Sequence, residues 1–367
     1  MSTALIARAP LHINFGGDGT DLPAYYEQHG GLTVSTTISY YAYAILTPSG
    51  SDDVQIIFAN HRAIQQQSTC KDLNWDGDLR LPKAIACYFH VDGGLTIFLA
   101  SQVPPCAGLG CSGSVAVTMI KALAFWCGLD LGAAEVAELA CHIAIDKIKM
   151  PIGKQDQYAA AFGGLNCIQF SNKGVIVEPL EVSHETREAL EKGLMLFFAG
   201  SSLRSASILC HEAQASRDNE QATITKLDAI KELSSGMRVA LKKGNMTAFG
   251  ELLHESWMKK RELTRDITNE FLDQCYQTAR DKGAIGGKVT RAGSEGFMVF
   301  YCPEERQAAV TDALAALGLQ RQSFWLDTDG VQIMEVSSRL RPPMLRTMPG
   351  HRAVEQADVQ TVGEARR

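Results

Sequence analysis

No stretch of this chain stays apolar for the roughly 20 residues that a membrane-spanning helix needs. No block of lysine and arginine marks a surface for nucleic acid or anionic lipid. Acidic residues outnumber basic ones, 41 to 35, giving a formal net charge of −6. A small ligand is therefore better supported than a polyanionic partner. Ten cysteines are present, Cys70, Cys87, Cys127 and Cys275 among them. With no CxxC pair and no Cys/His metal spacing, they read as reduced, mostly packed thiols. The opening MSTALIARAPLHINF is interrupted by Arg8 and His12 too early for a signal peptide. The cytoplasm is thus the expected compartment. No internal repeat or low-complexity tract is visible.

What the chain does contain is ordinary globular material: 46% hydrophobic and 21% charged residues over a length of 367, enough for two packed domains. Residues 3–9 and 31–48 are bounded by Gly and Pro and rich in strand formers. One helix is expected from near Ser112 to about Cys127, with Gly128 as its stop; a second runs from about Ala133 to Lys149, before Pro151. Strand texture returns over 165–198, and helical spacing dominates about 205–282. The final folded part alternates strand, helix and strands, the order of an α+β sandwich. A domain change is expected near 185–200, and an arm or tail beyond about 338.

Three stretches can carry chemistry. In VPPCAGLGCSGSVAVTMIKAL (103–123), Gly108 and Gly110 can take positive φ, and the first N–H groups of the following helix point outward at the positive end of its dipole. That suits an anion, although the stretch is not GxxxxGK[ST] and a tight turn feeding a buried helix is the commoner origin of such a pattern. Ser112 either caps the helix or ligates a phosphate-bound Mg²⁺. In MPIGKQDQYAAAFGG (150–164), Lys154 and Asp156 can face a shared cleft, where the carboxylate would stay ionised and accept a hydroxyl proton. A solvated loop ion pair is the alternative. In ARAPLHINFGGDGTDLPAYY (7–26), three glycines, Gly16, Gly17 and Gly19, stand among Asp18, Thr20 and Asp21, which either hydrogen-bond sugar hydroxyls or cap a turn.

Taken in order along the chain, RAPLHINFGGDGTDLP, PPCAGLGCSGSVAV, PIGKQDQYAAAFGG, RSASIL, LHESW and GGKVTRAGSEGFMVFY resemble the motifs of GHMP sugar kinases. The resemblance is greatest to the D-glycero-D-manno-heptose 7-phosphate kinases and covers about residues 4–337. It implies an α+β GHMP kinase fold: an N-terminal domain like ribosomal protein S5 domain 2 over 1–190, a ferredoxin-like C-terminal domain over 191–337, and a tail over 338–367. It also implies ATP and Mg²⁺ as cofactors and phosphorylation of a sugar at its anomeric O1, D-glycero-D-manno-heptose 7-phosphate becoming the 1,7-bisphosphate. In this resemblance Pro105, Ala107, Gly108, Leu109, Gly110, Cys111, Ser112 and Gly113 hold the nucleotide, and Ser112 also holds the metal. Asp156 is the base facing the anomeric hydroxyl, Lys154 sits beside the transferring phosphoryl group, and Arg8 matches an arginine that galactokinase-like members place near the base. Asp18, Gly19, Thr20, Asp21, Gly153 and Gln155 contact the sugar. The partner implied is a small sugar or sugar phosphate, with no nucleic acid and no membrane, and with homodimer formation left open.

The chain also departs from that pattern. Cys106 stands for a glycine, Cys111 and Gly113 for serines, and Ala144 for a glutamate that holds Mg²⁺ in relatives. Asp146, two residues further along a helix, is turned by about 200° from that position. RAGSE at 291–295 replaces a nearly all-glycine segment, and His12 and Asp18 replace Arg and Gly. These changes leave open a GHMP-fold protein that binds a sugar or partner without productive ATP–Mg²⁺ handling, and a kinase of another sugar or alcohol.

Overall fold

The computed structural model describes residues 4–61, 63–67, 77, 79–91, 93–104, 107–200, 221–263, 267–290 and 296–336. Pro105, Cys106, the RSASIL motif, residues 291–295 and the expected tail lie outside them. The elements in chain order are β1 (Ala4–Gly16), α1 (Pro23–His29), β2 (Gly31–Pro48), β3 (Val54–Phe58), β4 (Ala63–Gln67), α2 (Arg80–Tyr88), β5 (Leu95–Ser101), α3 (Cys111–Trp126), α4 (Ala133–Cys141), a π-helical segment (His142–Lys147), α5 (Gln155–Phe162), β6 (Leu165–Ser171), β7 (Gly174–Pro179), α6 (His184–Gly193) and β8 (Leu194–Phe198). They continue with α7 (Gln221–Lys242), α8 (Met246–Arg261), α9 (Glu270–Asp281), β9 (Gly286–Val289), β10 (Phe297–Tyr301), α10 (Glu304–Ala316), β11 (Gln320–Gln322), β12 (Leu326–Asp327) and β13 (Gln332–Val336).

The first sheet is built around β1 and the 18-residue β2. In β1 the odd positions Leu5, Ala7, Ala9, Leu11, Ile13 and Phe15 are all buried, so its even positions, His12 and Asn14 among them, project to the other face. One half of β2 pairs with β5 and the other with β6, an arrangement that leaves the two halves free to diverge. Against this sheet packs α3, in which twelve of sixteen residues are buried. A helix apolar almost all round cannot lie on a surface, so the loop before it is delivered into the interior of the molecule.

A second sheet runs β11-β8-β10-β9, all antiparallel. With helices between β8 and β9 and between β10 and β11, this is the expected ferredoxin-like arrangement. The sheet change falls at Leu194, close to the expected boundary of 190/191. The expected C-terminal extent of 191–337 needs correcting, however: β12 and β13 return to the first sheet, where β13 pairs with β1 and β12 with β2. Apolar alternation within residues 326–336 says only that a strand forms, not which sheet it joins.

The helix expected over 133–149 also differs. It is α-helical to Cys141 and π-helical over His142–Lys147, and Lys149 closes it with a φ of +53°. Such widened turns insert an extra residue and shift every side chain beyond them. Among the described residues, no helix is long and apolar enough to cross a membrane.

Candidate active site

The loop before α3 is held from three sides. The Leu109 carbonyl accepts the His12 N–H at 3.1 Å, the Ala107 carbonyl accepts the Phe297 N–H at 3.2 Å, and the Ser114 hydroxyl donates to the Pro10 carbonyl at 2.9 Å. Gly110, at φ 74°, takes the left-handed conformation just before the helix, and no side chain caps α3. A Cβ on Gly110 would stand 2.4 Å from the His12 ring, so only glycine lets the loop lie on that imidazole. Gly108 and Gly110 both take the positive φ expected of them, the start of α3 carries no side-chain cap, and Ser112 is exposed in its first turn.

Asp156 lies in the first turn of α5, packed against the first turn of α3. A Cβ on Gly113 would come within 2.6 Å of the Asp156 Cβ, which explains why this position takes no side chain. His12 Nε2 stands 3.4 Å from Asp156 Oδ1. The Asp156 side chain keeps 36% of its surface exposed while His12 keeps 3%. Burial, reinforced by the negative charge of Asp18, raises the Asp156 carboxyl to about 6. Burial, with Lys288 close by and Asp18 opposing, lowers His12 to about 4. At pH 7 the imidazole is neutral and the carboxyl largely ionised, the protonation states of an orienting group and a base.

Asp21 is buried against Gly153, where any Cβ would overlap its carboxylate, and its Oδ2 accepts the Gln155 N–H at 3.1 Å. Burial, opposed by that hydrogen bond and reinforced by the charges of Asp156 and Asp18, raises Asp21 to about 7. Thr20 is committed to the turn: its hydroxyl donates to the Gly17 carbonyl at 2.7 Å and accepts the Leu32 N–H at 3.2 Å. The capping alternative holds for Thr20, with Gly19 at φ 83° in the same turn.

Three expected placements change. Arg8 does not meet Asp156, its guanidinium lying 4.8 Å from the centre of the Tyr41 ring; four residues further along β1, His12 stands beside Asp156. Lys154 points to α4, where its Nζ is 2.8 Å from Glu138 Oε1 and Glu138 also accepts the Tyr158 hydroxyl at 2.5 Å. Burial works against that ammonium, but the Glu138 hydrogen bond outweighs it and holds Lys154 above the usual lysine value. Asp18, expected to meet sugar hydroxyls, is buried with Lys260 Nζ 2.8 Å from one oxygen and Lys288 Nζ on the other. Burial alone would raise its carboxyl; the two ammonium groups reverse this and hold it well below the usual carboxylate range. Lys288 is itself pushed down to about 8 by burial, with Asp18 pulling it back up. Sequence reasoning did not single out Lys260, Lys288 or Glu138.

Comparison with known proteins matches residues 80–164 to the GHMP kinases N terminal domain and 237–319 to the GHMP kinases C terminal domain. A D-glycero-alpha-D-manno-heptose 7-phosphate kinase of Campylobacter jejuni is 30% identical over 333 residues, spanning 89% of this chain and 97% of the relative. The chain belongs to the GHMP kinase family. A crystal structure described as a D-glycero-D-manno-heptose 1-phosphate kinase from Bacteroides thetaiotaomicron superposes with a TM-score of 0.75 at 29% identity, covering 91% of this chain and all of that one. Lactococcus lactis galactokinase, at 17% identity and a TM-score of 0.72 over 90% and 95% of the two chains, shares the fold.

Membership of this kinase family makes ATP the expected phosphoryl donor, and Mg²⁺ its usual companion. Among the described residues no three His, Cys, Asp or Glu side chains cluster to hold a metal. Ala144 is fully buried, and Asp146, displaced by the π-helical segment, faces outward with its Oδ2 2.9 Å from His142 Nδ1. Asp146 is thus no substitute for a missing glutamate. Exposed Ser112 is an oxygen donor at the mouth of α3, and it fits a Mg²⁺ brought in on nucleotide phosphates rather than one held in a protein cage.

Proposed function

We propose that this protein is an ATP-dependent sugar kinase that phosphorylates the anomeric O1 of a sugar, D-glycero-D-manno-heptose 7-phosphate in the first instance. The observation that carries the reading is the contact between Gly113 in the first turn of α3 and Asp156 in the first turn of α5. It brings the Asp156 carboxylate next to the first turn of α3, which supports a reading in which a base and an anion-binding helix end meet at one point, as phosphoryl transfer to a hydroxyl needs.

In this reading the N-terminus of α3 and its loop bind the phosphates. His12, neutral at pH 7, stands with Nε2 3.4 Å from Asp156 Oδ1 and would orient that carboxylate. As the acceptor oxygen bonds to the γ-phosphorus and the bond to the β-phosphate oxygen breaks, the hydroxyl proton passes to Asp156. Mg²⁺, when bound, would neutralise phosphate charge with Ser112 among its ligands. Buried polar atoms of Asn14, Gln155 and Gln157 have no hydrogen-bond partner among the described residues, and a hydroxyl-rich acceptor would complete them.

Two relatives support a heptose phosphate while their names differ on which phosphate is already in place. The acceptor oxygen is therefore O1 on the first reading and O7 on the second. A third reading, sugar binding without turnover, is favoured by buried Ala144. An ADP-release assay with Mg²⁺–ATP against heptose 7-phosphate, heptose 1-phosphate, mannose, fucose and galactose decides among them, with the product's phosphate position read by ³¹P NMR. Turnover of the 7-phosphate to the 1,7-bisphosphate is expected. No turnover with any sugar, together with no ATP-dependent thermal shift, would overturn the kinase reading.

A further inference from the structure

The two sides of the cleft are joined by a closed circuit of contacts. Lys288 lies in β9, and Thr290 just after β9 and Phe297 at the start of β10 both meet the phosphate loop: the Phe297 N–H and the Thr290 hydroxyl donate to the Ala107 carbonyl, at 3.2 and 3.4 Å. The Lys288 ammonium is hydrogen-bonded to Asp18, across from the second sheet to the turn after β1. Three residues on, Asp21 accepts the Gln155 N–H through its carboxylate and the Lys154 N–H through its carbonyl, fixing the start of α5. Asp156, next in α5, meets His12, and the His12 N–H returns to the Leu109 carbonyl in the loop. The nucleotide-facing loop and the acceptor-facing start of α5 are two arcs of one ring.

Within that ring the link between Lys288 and Asp18 has a distinct character. The other links are hydrogen bonds to backbone groups and the His12–Asp156 contact, whereas this one joins two opposite charges that are both buried, Lys288 to 1% and Asp18 to 7% exposure. A buried charge cannot leave its partner without a heavy desolvation penalty, so the pair holds its separation as the elements around it shift. Lys260, from the last turn of α8, supplies the second cation and ties the same carboxylate to a helix of the second layer.

We propose that the Asp18–Lys288 pair, steadied by Lys260, is a positioning element that couples the phosphate loop to the acceptor-facing residues, so that filling one side tightens the other. The ligands named rest on the kinase reading; the coupling itself rests on the ring. By linkage, the factor by which the acceptor raises ATP affinity equals the factor by which ATP raises acceptor affinity.

The test uses the full-length protein with Asp18→Asn, Lys288→Met, the double variant and Lys288→Arg. ATP affinity is measured by calorimetry with and without heptose 7-phosphate, alongside kcat and KM. Wild type is expected to bind ATP about 5-fold or more tightly when the acceptor is present. Each single variant should bring this factor close to 1. Lys288→Met leaves Asp18 paired with Lys260, and the double variant leaves one fewer unpaired buried charge than Asp18→Asn; both should fold and still lack coupling, and Lys288→Arg should keep it. A merely structural role would lower the melting temperature and leave the coupling factor intact in the folded protein. A double variant with wild-type coupling, or a wild type whose two ligands bind independently, overturns the proposal. If ATP does not bind at all, the kinase reading fails separately, and hydrogen exchange tests the ring: Lys288→Met should loosen amides in both 107–113 and 155–157, and unchanged protection in either sinks it.

Discussion

His12 Nε2 stands 3.4 Å from Asp156 Oδ1 while the same ring lies directly beneath Gly110. One imidazole thus touches both the proposed base and the loop that turns into the phosphate-facing helix. Replacing it separates the two roles. His12→Phe keeps a flat ring under Gly110 and removes the polar nitrogen beside Asp156; kcat should fall by about 10-fold or more, less than loss of the base itself, with the KM for ATP little changed. His12→Ala should weaken ATP binding as well. Steady-state kinetics of the two variants checks this, and equal effects on both parameters would contradict it.

Asp156→Asn should lower kcat by roughly 10² to 10⁴-fold, the span of a lost general base. It should not cost stability at neutral pH. The folded protein binds the Asp156 proton more tightly than the unfolded chain does, so ionisation disfavours the fold and a neutral amide removes that cost. Thermal unfolding at pH 7.5 should give a melting temperature equal to or above that of wild type.

The rate should rise with pH as Asp156 ionises, kcat/KM climbing between about pH 5 and 7 with a midpoint near 6. Asp18 adds to that elevation by its charge, so Asp18→Asn should move the midpoint toward lower pH.

Stability should follow a different curve. Asp21, raised to about 7, favours the fold fully below its unfolded value near 4 and loses that contribution as pH rises toward 7. His12, depressed to about 4, acts oppositely: its contribution is present above pH 6.5 and is lost as pH falls through 4. Asp21→Asn should therefore gain on wild type at pH 8 and lose the advantage by pH 4, as followed by chemical denaturation.

Two glycines should separate the substrates. A Cβ at Gly153 would stand 1.8 Å from Asp21 Oδ2, displacing that carboxylate and the start of α5. Gly153→Ala should chiefly raise the acceptor KM. Gly110→Ala, strained at φ 74° and 2.4 Å from the His12 ring, should chiefly weaken ATP binding. Titrations of each substrate against each variant test the split.

Much of this was legible in the amino-acid order. Gly108 and Gly110 announce a close backbone approach, and the long apolar run after Ser112 announces a buried helix. What the order could not convey was which side chains meet across long separations. Asp18 looked available for hydroxyls because its partners, Lys260 and Lys288, lie some 240 residues or more further on, in α8 and β9. Arg8 seemed the cation for the base, yet it shares its face of β1 with His12 and Asn14, and alternation alone could not say that the one four residues further along meets Asp156. The π-helical turn is invisible to a 3.6-residue period, so the angle assigned to Asp146 carried no information about where it points.

The pairing of β1 with β13 joins residues 4–8 to 332–336. As a ribosome delivers this chain, the first strand emerges with one edge bare and waits through more than three hundred residues for its neighbour. Both halves of the molecule must be synthesised before the earlier sheet is complete. A product truncated anywhere before Gln332 would leave an open strand edge, ready to recruit whatever extended segment comes near.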